Sequence, residues 1–326
     1  MNRSPARAVW INVAVLIAAA ALVQGLWGWQ GLLRPWREVP PGALGLALAG
    51  LFSSYGLRAA RIYIAETEIP RGAYGACLRL ILINNALNWL LPARSGEASF
   101  PWLMRRWFGV DGARATGILL WLRLLDLHVL ATVAAICAAA GWLAGAELAA
   151  NAARTLALLA ASAPLAIFAL RRPLAAWCAR PANRLARLAG RVLQGLPQRG
   201  GGLLRDLALT WLSWGIKLAA LGWVLARLLG LRPALGILGA IGGDLSTVLP
   251  LHAPGGFGTY EAGVLALLAP GDSGAPLARL LAAAVNLHLL VLGSALLAGA
   301  GAALTGSPAK ANARLSDLKT DKDLPP

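Results

Sequence analysis

The sequence predicts an all-α integral membrane protein, with about six transmembrane helices and two re-entrant helical hairpins arranged as an inverted repeat. Three observations lead to this prediction. Hydrophobic residues make up 58% of the 326-residue chain and charged residues only 13%, against ~25% charged residues in soluble domains. Apolar runs of ~20 residues, the length at which a helix crosses a bilayer, recur along the chain. Two further apolar runs are interrupted by proline and glycine.

Six apolar runs are long enough to cross a membrane as helices. The first follows a basic start, as in a signal peptide, but it exceeds the ~7–15 apolar residues of a signal sequence, so we interpret it as a span. The polar residues 306–326 predict a disordered tail. The six runs are Val9–Trp27, Ala43–Tyr63, Ala115–Leu143, Thr155–Leu170, Leu207–Leu225 and Leu277–Leu304.

Two segments, residues 78–110 and 233–270, predict the re-entrant hairpins. Each contains an apolar run broken by a stretch with proline and glycine, PARSGE in the first and PGGFGTYE in the second. Such stretches leave backbone amides and carbonyls unpaired, which lipid tolerates only where protein or water satisfies them. We therefore expect each segment to enter the membrane and return to the same side. A tight turn between two packed helices is the alternative for PGGFGTYE.

The distribution of lysine and arginine predicts the topology. With both termini cytoplasmic, most basic residues fall on the cytoplasmic side, including Arg58 and Arg61 at the end of the second span. Residues 1–150 and 151–305 then form two membrane repeats of opposite orientation, which is the layout of many secondary transporters. This pattern indicates a multi-pass protein of the bacterial inner membrane.

A basic cytoplasmic loop is predicted at residues 171–205. Four of its arginines follow one another at helical spacing and form a single stripe beside an apolar face. The stripe fits an interfacial helix on an anionic leaflet, and it fits a topology signal equally well. These residues are Arg180, Arg184, Arg187 and Arg191.

Ionisable and polar residues in the two broken segments are the candidate substrate-binding residues, because such groups are costly at membrane depth and usually face a partner or a wet cavity. Arginine can form two hydrogen bonds to a phosphate, and a helix that begins at Thr259 or Tyr260 would point its positive end at the second break. A loop salt bridge between Arg94 and Glu97, with asparagines bonding neighbouring helices, is the alternative. The candidates are Asn84, Asn85, Asn88, Arg94 and Glu97 of the first break, and Asp244, His252, Gly255, Gly256, Gly258 and Glu261 of the second.

Other charged residues lie within the predicted spans. Arg123 and Asp126 have the spacing of a helical charge pair, which fits a structural role as well as a role in transport. Lys217 has no acidic neighbour at helical spacing, so we predict that it faces an acidic group or a cavity. His128 and His288 are expected to bond neighbouring helices rather than a metal.

Several function classes lack support in the sequence. The three cysteines have neither disulfide nor metal-site spacing, and no nucleotide-binding, metal-binding or nucleophile motif occurs, so we predict no cofactor, no metal and no catalytic residue. The net charge of +16 is accounted for by cytoplasmic loops and anionic lipid headgroups rather than by nucleic acid.

Three motifs in order resemble the flippase-like membrane family that also forms the transmembrane half of lysylphosphatidylglycerol synthases. They are NNALNWLLPARSGE (Asn84–Glu97), RLLDLHVL (Arg123–Leu130) and LPLHAPGGFGTYEAG (Leu249–Gly263). The resemblance implies a helical membrane domain with two re-entrant segments that handles lipids with polar or phosphate headgroups. The family often has an acidic residue just before the arginine matched to Arg123, where this chain has Leu122.

Motifs and resemblance together predict a lipid translocase of flippase type. The expected partners are membrane lipids with anionic or phosphate-bearing headgroups, together with the enzymes that synthesise them. An integral membrane transferase or accessory subunit in lipid, hopanoid or glycolipid biosynthesis is the alternative, because glutamates and a histidine near a polar break also suit acid–base chemistry.

Overall fold

The computed structural model describes residues 14, 17–18, 20–140, 147–179, 183–248, 253–268 and 274–305. Within these ranges the chain is helical and contains no strand. Five helices are long and apolar enough to cross a membrane, which confirms five of the six predicted spans. Part of the predicted span Val9–Trp27 and the whole predicted tail, residues 306–326, lie outside the described residues. The five candidate spans are Pro41–Ala65, Gly112–Ala139, Leu158–Ala179, Gly200–Leu229 and Leu277–Leu304.

The helices are numbered along the chain. Both predicted breaks appear as short 3-10 turns between two helices, at Pro92–Ala98 and Pro254–Gly256, and a further 3-10 turn spans Arg34–Glu38. The α-helices are α1 (Gly28–Leu33), α2 (Pro41–Ala65), α3 (Tyr74–Leu90), α4 (Ser99–Phe108), α5 (Gly112–Ala139), α6 (Glu147–Ala179), α7 (Arg184–Leu193), α8 (Gly200–Leu229), α9 (Pro233–Val248), α10 (Thr259–Leu268) and α11 (Leu277–Leu304).

The basic segment 171–205 is more helical than expected. Helix α6 continues to Ala179, and α8 begins at Gly200, so both extend into the predicted loop. A helix is present at the arginine stripe as α7, whose first turn is capped by Asn183 Oδ1 accepting a hydrogen bond from the Ala186 amide at 2.7 Å. The arginines of the stripe that belong to α7 are exposed, whereas Arg180 lies outside the described residues.

The ends of several helices meet through charged side chains. Arg114, in the first turn of α5, contacts Glu66 at 2.6 Å and also Glu68, just beyond α2. Arg205, near the start of α8, donates to the Ile64 carbonyl at 3.3 Å. The end of α2 and the beginnings of α5 and α8 therefore lie together at one end of the bundle, which we call the basic end.

Arg58 and Arg61, which were counted as cytoplasmic although they fall inside the predicted span Ala43–Tyr63, lie within α2. Arg61 is buried and donates to the Thr210 hydroxyl of α8, and its Nη2 atom lies 3.7 Å from Asp126 Oδ1 of α5. Two arginines in the last two turns of an apolar helix are easily counted with the loop that follows. Here Arg61 turns inward to a hydroxyl and a carboxylate, and Arg58 lines the central cavity described below.

Helices α9 and α10 pack back to back in the centre of the largest hydrophobic cluster. Their closest approach is at Gly242 and Gly263, where a Cβ atom on Gly242 would lie 2.0 Å from the Gly263 carbonyl oxygen. Small residues are the usual means by which membrane helices come so close. Gly242 and Gly263 therefore serve helix packing.

Gly242→Val should lower the free energy of unfolding by about 1–3 kcal/mol, because the added side chain must push α9 away from α10. Thermal or chemical unfolding in detergent would measure this loss. Gly215→Val is the matched control: Gly215 is exposed in the middle of α8 and a Cβ atom there would meet nothing within 4 Å. Equal stability of the two variants would contradict the packing role of Gly242.

Candidate functional site

The two breaks lie against each other inside the bundle. The turn Pro92–Ala98 contacts the turn Pro254–Gly256. At the end of α3, the Trp89 ring lies 5.3 Å from the His288 ring of α11 and 6.2 Å from the Tyr260 ring of α10. Residues that are about half the chain apart in sequence therefore form one central region.

Asparagines of α3 hold the first break against the helix that precedes it. Asn84 Nδ2 donates to the Gly96 carbonyl at 3.2 Å and to the Ser99 hydroxyl at 2.9 Å, and Asn88 Nδ2 donates to Asn84 Oδ1 at 3.3 Å. Asn84 thus bonds neighbouring segments of the protein, which is the structural role given above as the alternative to substrate binding. Asn85 and Asn88 also line the central cavity described below.

The second break is stabilised by a histidine that we did not assign to it from the sequence. His288 contacts Glu261 Oε1 through Nδ1 at 2.6 Å and the Gly255 carbonyl through Nε2 at 2.8 Å. Gly255, Gly256 and Gly258 have φ values of 67°, 78° and 82°, a left-handed conformation that favours glycine. His252, the histidine predicted for this site, lies outside the described residues.

The side chain of Glu261 caps the N-terminus of α10. The helix begins at Thr259, as predicted, and the Gly258 amide just before it donates to Glu261 Oε2 at 2.8 Å. The Glu261 carboxylate is buried and therefore occupies the positive helix terminus itself. A phosphate at this terminus would have to displace it.

A charge network connects the first break to α5 and α2. Arg123 Nε lies 2.8 Å from Glu97 Oε1, and Arg123 Nη1 lies 3.1 Å from Asp126 Oδ2. Asp126 also accepts a hydrogen bond from Trp214 Nε1 at 2.9 Å. The predicted pair of Arg123 and Asp126 is therefore part of a larger network. The predicted partner of Glu97, the side chain of Arg94, lies outside the part of the chain that the structure describes.

Lys217 faces an acidic group, as predicted. Its Nζ atom lies 2.7 Å from Asp244 Oδ1, and both side chains are buried. The other carboxylate oxygen, Asp244 Oδ2, is buried without a hydrogen-bond partner among the described residues. This pair joins the middle of α8 to the α9 limb of the second broken segment.

A small polar cavity lies between these networks, enclosed by α2, α3, α5, α8, α9 and α11. Its volume of about 50 Å³ leaves room for water but not for a lipid headgroup. A second space of about 30 Å³ shares Arg58, Asn85 and Arg123 with it and reaches Asp126. The lining of the first, larger cavity includes Tyr55, Arg58, Asn85, Asn88, Trp89, Arg123, Trp214, Lys217 and Thr247.

Arg58 is the cavity residue that we did not identify from the sequence. Its Cζ atom lies 4.8 Å from the centre of the Trp214 ring, and its Nε and Nη2 atoms are buried without a hydrogen-bond partner in the described ranges. The signal was present in the spacing, because Tyr55, Arg58 and Arg61 repeat every three residues and so share one face of a helix. Counting Arg58 only as a cytoplasmic topology signal left that pattern unused.

The cavity carries an excess of positive charge. Arg123 and Lys217 have carboxylate partners, whereas Arg58 forms no ion pair with any described residue. Such a site suits an anion with several hydrogen-bond acceptors, such as a phosphate. The described residues contain no group of three or more His, Cys, Asp or Glu side chains that could hold a metal ion.

Comparison with known families finds one that spans most of the chain. The family described as lysylphosphatidylglycerol synthase TM region matches residues 9–299, which include both breaks and all residues of the cavity. Comparisons with curated proteins and with solved structures return no match. Because the family match covers most of the chain, this chain belongs to the family of lysylphosphatidylglycerol synthase transmembrane regions.

Proposed function

We propose that this protein is a lipid translocase that moves a phospholipid or a lipid-linked headgroup across the bacterial inner membrane. The observation that carries the proposal is the buried, positively charged cavity where the two broken segments meet. Membership of a membrane family related to lipid synthesis supports a lipid as the substrate. Arg58, Arg123 and Lys217 would bind the phosphate, while the apolar tails remain in the bilayer.

The arrangement of the broken segments supports alternating access. Helix α2 ends at the basic end, and α3 begins shortly afterwards in the sequence. Helix α4 ends at Phe108, four residues before α5 begins, and the beginning of α5 also lies at the basic end. The pair α3–α4 therefore starts and finishes at the same end of the bundle, as a re-entrant hairpin does. With α9–α10 as its counterpart of opposite orientation, the two halves form an inverted repeat that can rock around the cavity.

The tails of the substrate would pass between α2 and α8. An apolar groove of about 590 Å³ lies between these helices on the outer side of the bundle, lined by Ala47, Gly50 and Trp223 among others. Further along, the helices are joined by Ser54 and Ser213, whose Oγ atoms lie 3.3 Å apart. Because the cavity of about 50 Å³ is too small for a headgroup, we expect the headgroup to enter when this contact opens.

A disulfide between Ser54→Cys and Ser213→Cys tests this mechanism. The protein, with Cys77, Cys137 and Cys178 replaced by alanine, is reconstituted in vesicles with fluorescent phosphatidylglycerol, and movement between leaflets is followed by dithionite quenching. Oxidation should abolish protein-dependent movement, and reduction should restore it, because the cross-link holds α2 against α8. Each single cysteine variant, treated identically, controls for oxidation elsewhere.

The same experiment distinguishes the transferase alternative. A translocase requires an intact bilayer and returns the lipid chemically unaltered, whereas a transferase alters the lipid even in detergent. Burial of both Glu261 and His288, with each held by hydrogen bonds, favours a structural role for that pair over acid–base catalysis. Movement that continues after complete cross-linking would exclude the route between α2 and α8.

A further inference from the structure

We propose that a groove between α6 and α7 is a binding site for an anionic phospholipid, separate from the central cavity and independent of the proposed transport. The groove has a volume of about 490 Å³, which lies within the range of ligand pockets. Helix α7 packs against α6 and α5. Neither α6 nor α7 contributes residues to the apolar groove between α2 and α8. The site therefore belongs to a different surface of the protein.

The walls of the groove are held in place by close contacts. A Cβ atom on Gly117 of α5 would lie 1.8 Å from the Val192 carbonyl oxygen of α7, so the two backbones touch. Helix α6 is attached by Arg171, whose Nη2 atom donates to the Gln198 carbonyl at 3.0 Å, and by His128 Nδ1, 2.8 Å from the Ala160 carbonyl. The groove is therefore formed before any ligand binds, which lowers the entropic cost of binding.

The rim of the groove is basic. Arg172 of α6 and Arg187 and Arg191 of α7 line it and are exposed, and no aspartate or glutamate is among the described residues that line it. Asp111 lies 3.4 Å from Arg191 at an exposed position. Two or three guanidinium groups around one space favour a phosphodiester.

The floor of the groove is apolar and distinguishes a lipid from a free phosphate. It consists of small residues, including Ala175, Cys178, Ala186 and Gly190, which leave room for a hydrocarbon chain. The groove adjoins the last turns of α6, a candidate membrane span that ends at Ala179. Leu185 of α7 is 77% exposed beside it, as expected for a helix that rests on lipid. The site thus combines arginines that can bind a phosphate with an apolar surface that can accommodate an acyl chain, next to the end of a candidate membrane span.

Native mass spectrometry of the full-length protein, released from vesicles of phosphatidylglycerol and phosphatidylcholine, tests the site. Wild type should retain phosphatidylglycerol, and the double variant Arg172→Gln/Arg187→Gln should retain about tenfold less, the loss expected for a charge-assisted contact. Arg184→Gln/Arg199→Gln removes the same charge from the same region but leaves the groove unchanged, so it should bind as wild type does. An equal loss in both double variants would mean non-specific attraction and would overturn the proposal.

The apolar floor has its own test. Ala175→Phe fills the groove and keeps every charge, so it should also lower the retained phosphatidylglycerol. Ala175 is exposed, and this variant therefore tests the site even if the double arginine variant fails to fold. Unchanged retention in Ala175→Phe, or displacement of the lipid by excess inorganic phosphate, would indicate an anion site without a chain and would overturn the proposal of a lipid site.

Discussion

Replacing Arg58 by glutamine is expected to reduce lipid translocation by about 10- to 100-fold. Arg58 is the one cation of the central cavity without an ion pair among the described residues, and its Nε and Nη2 atoms are buried without a partner. A hydrogen bond from a charged group to a phosphate is worth about 1.5–3 kcal/mol, and each 1.4 kcal/mol is a factor of ten. Glutamine keeps a polar side chain but removes the charge.

The stability of this variant is expected to change little, which separates a functional role from a structural one. Arg58 is half-buried and its Nε and Nη2 atoms have no hydrogen-bond partner among the described residues, so removing its charge costs little folding free energy. Unfolding in detergent measures the stability, and dithionite quenching in phosphatidylglycerol vesicles measures the translocation. Arg58→Lys keeps the charge but not the planar donors and should recover part of the activity.

Arg227→Gln is the matched control for Arg58→Gln. Arg227 also lies over a tryptophan, with Cζ 5.3 Å from the Trp223 ring, but it is exposed at the end of α8 and does not line the cavity. The two substitutions therefore remove the same kind of arginine–tryptophan contact. Normal translocation by Arg58→Gln, or an equal decrease in both variants, would show that Arg58 does not bind the substrate.

Much of the fold could be predicted from the sequence because helices in a membrane are local structures. Apolar runs are long enough to cross the bilayer as helices, and proline and glycine mark where the helical backbone hydrogen bonding is interrupted. The runs predicted at Leu207–Leu225 and Leu277–Leu304 appear as α8 and α11, and the breaks after Leu91 and before Thr259 are both present. Charged residues near helix ends were harder to place. The helix boundary at Arg171 was misjudged, since α6 continues to Ala179, and Arg58 and Arg61 were counted only as topology signals, because basic side chains at the end of an apolar run resemble the start of a loop.

Partners across the bundle could not be predicted, because helical periodicity defines a face of a helix but not the neighbour of that face. Glu261 bonds His288, which is 27 residues away, and Trp214 bonds Asp126, which is 88 residues away. For Lys217 the sequence predicted an acidic or wet environment without naming Asp244. The cavity itself depends on six helices at once, so single segments identify only parts of it.

Lys217→Met is expected to lower the free energy of unfolding by about 3–5 kcal/mol, since it leaves the buried carboxylate of Asp244 without its cation. Asp244 is fully buried, and its Oδ2 atom already lacks a hydrogen-bond partner in the described part of the chain. No other lysine or arginine forms an ion pair with Asp244 among the described residues. Chemical denaturation in detergent measures the effect.

The double variant Lys217→Met/Asp244→Asn should regain most of the lost stability, because replacing both members of a buried pair removes both desolvation costs. Translocation should not recover with it, since Lys217 lines the cavity and supplies one of its cations. A double variant that is stable and inactive would assign Lys217 to substrate binding as well as to folding. Recovery of both properties would make the pair purely structural and would leave Arg58 and Arg123 as the phosphate-binding residues.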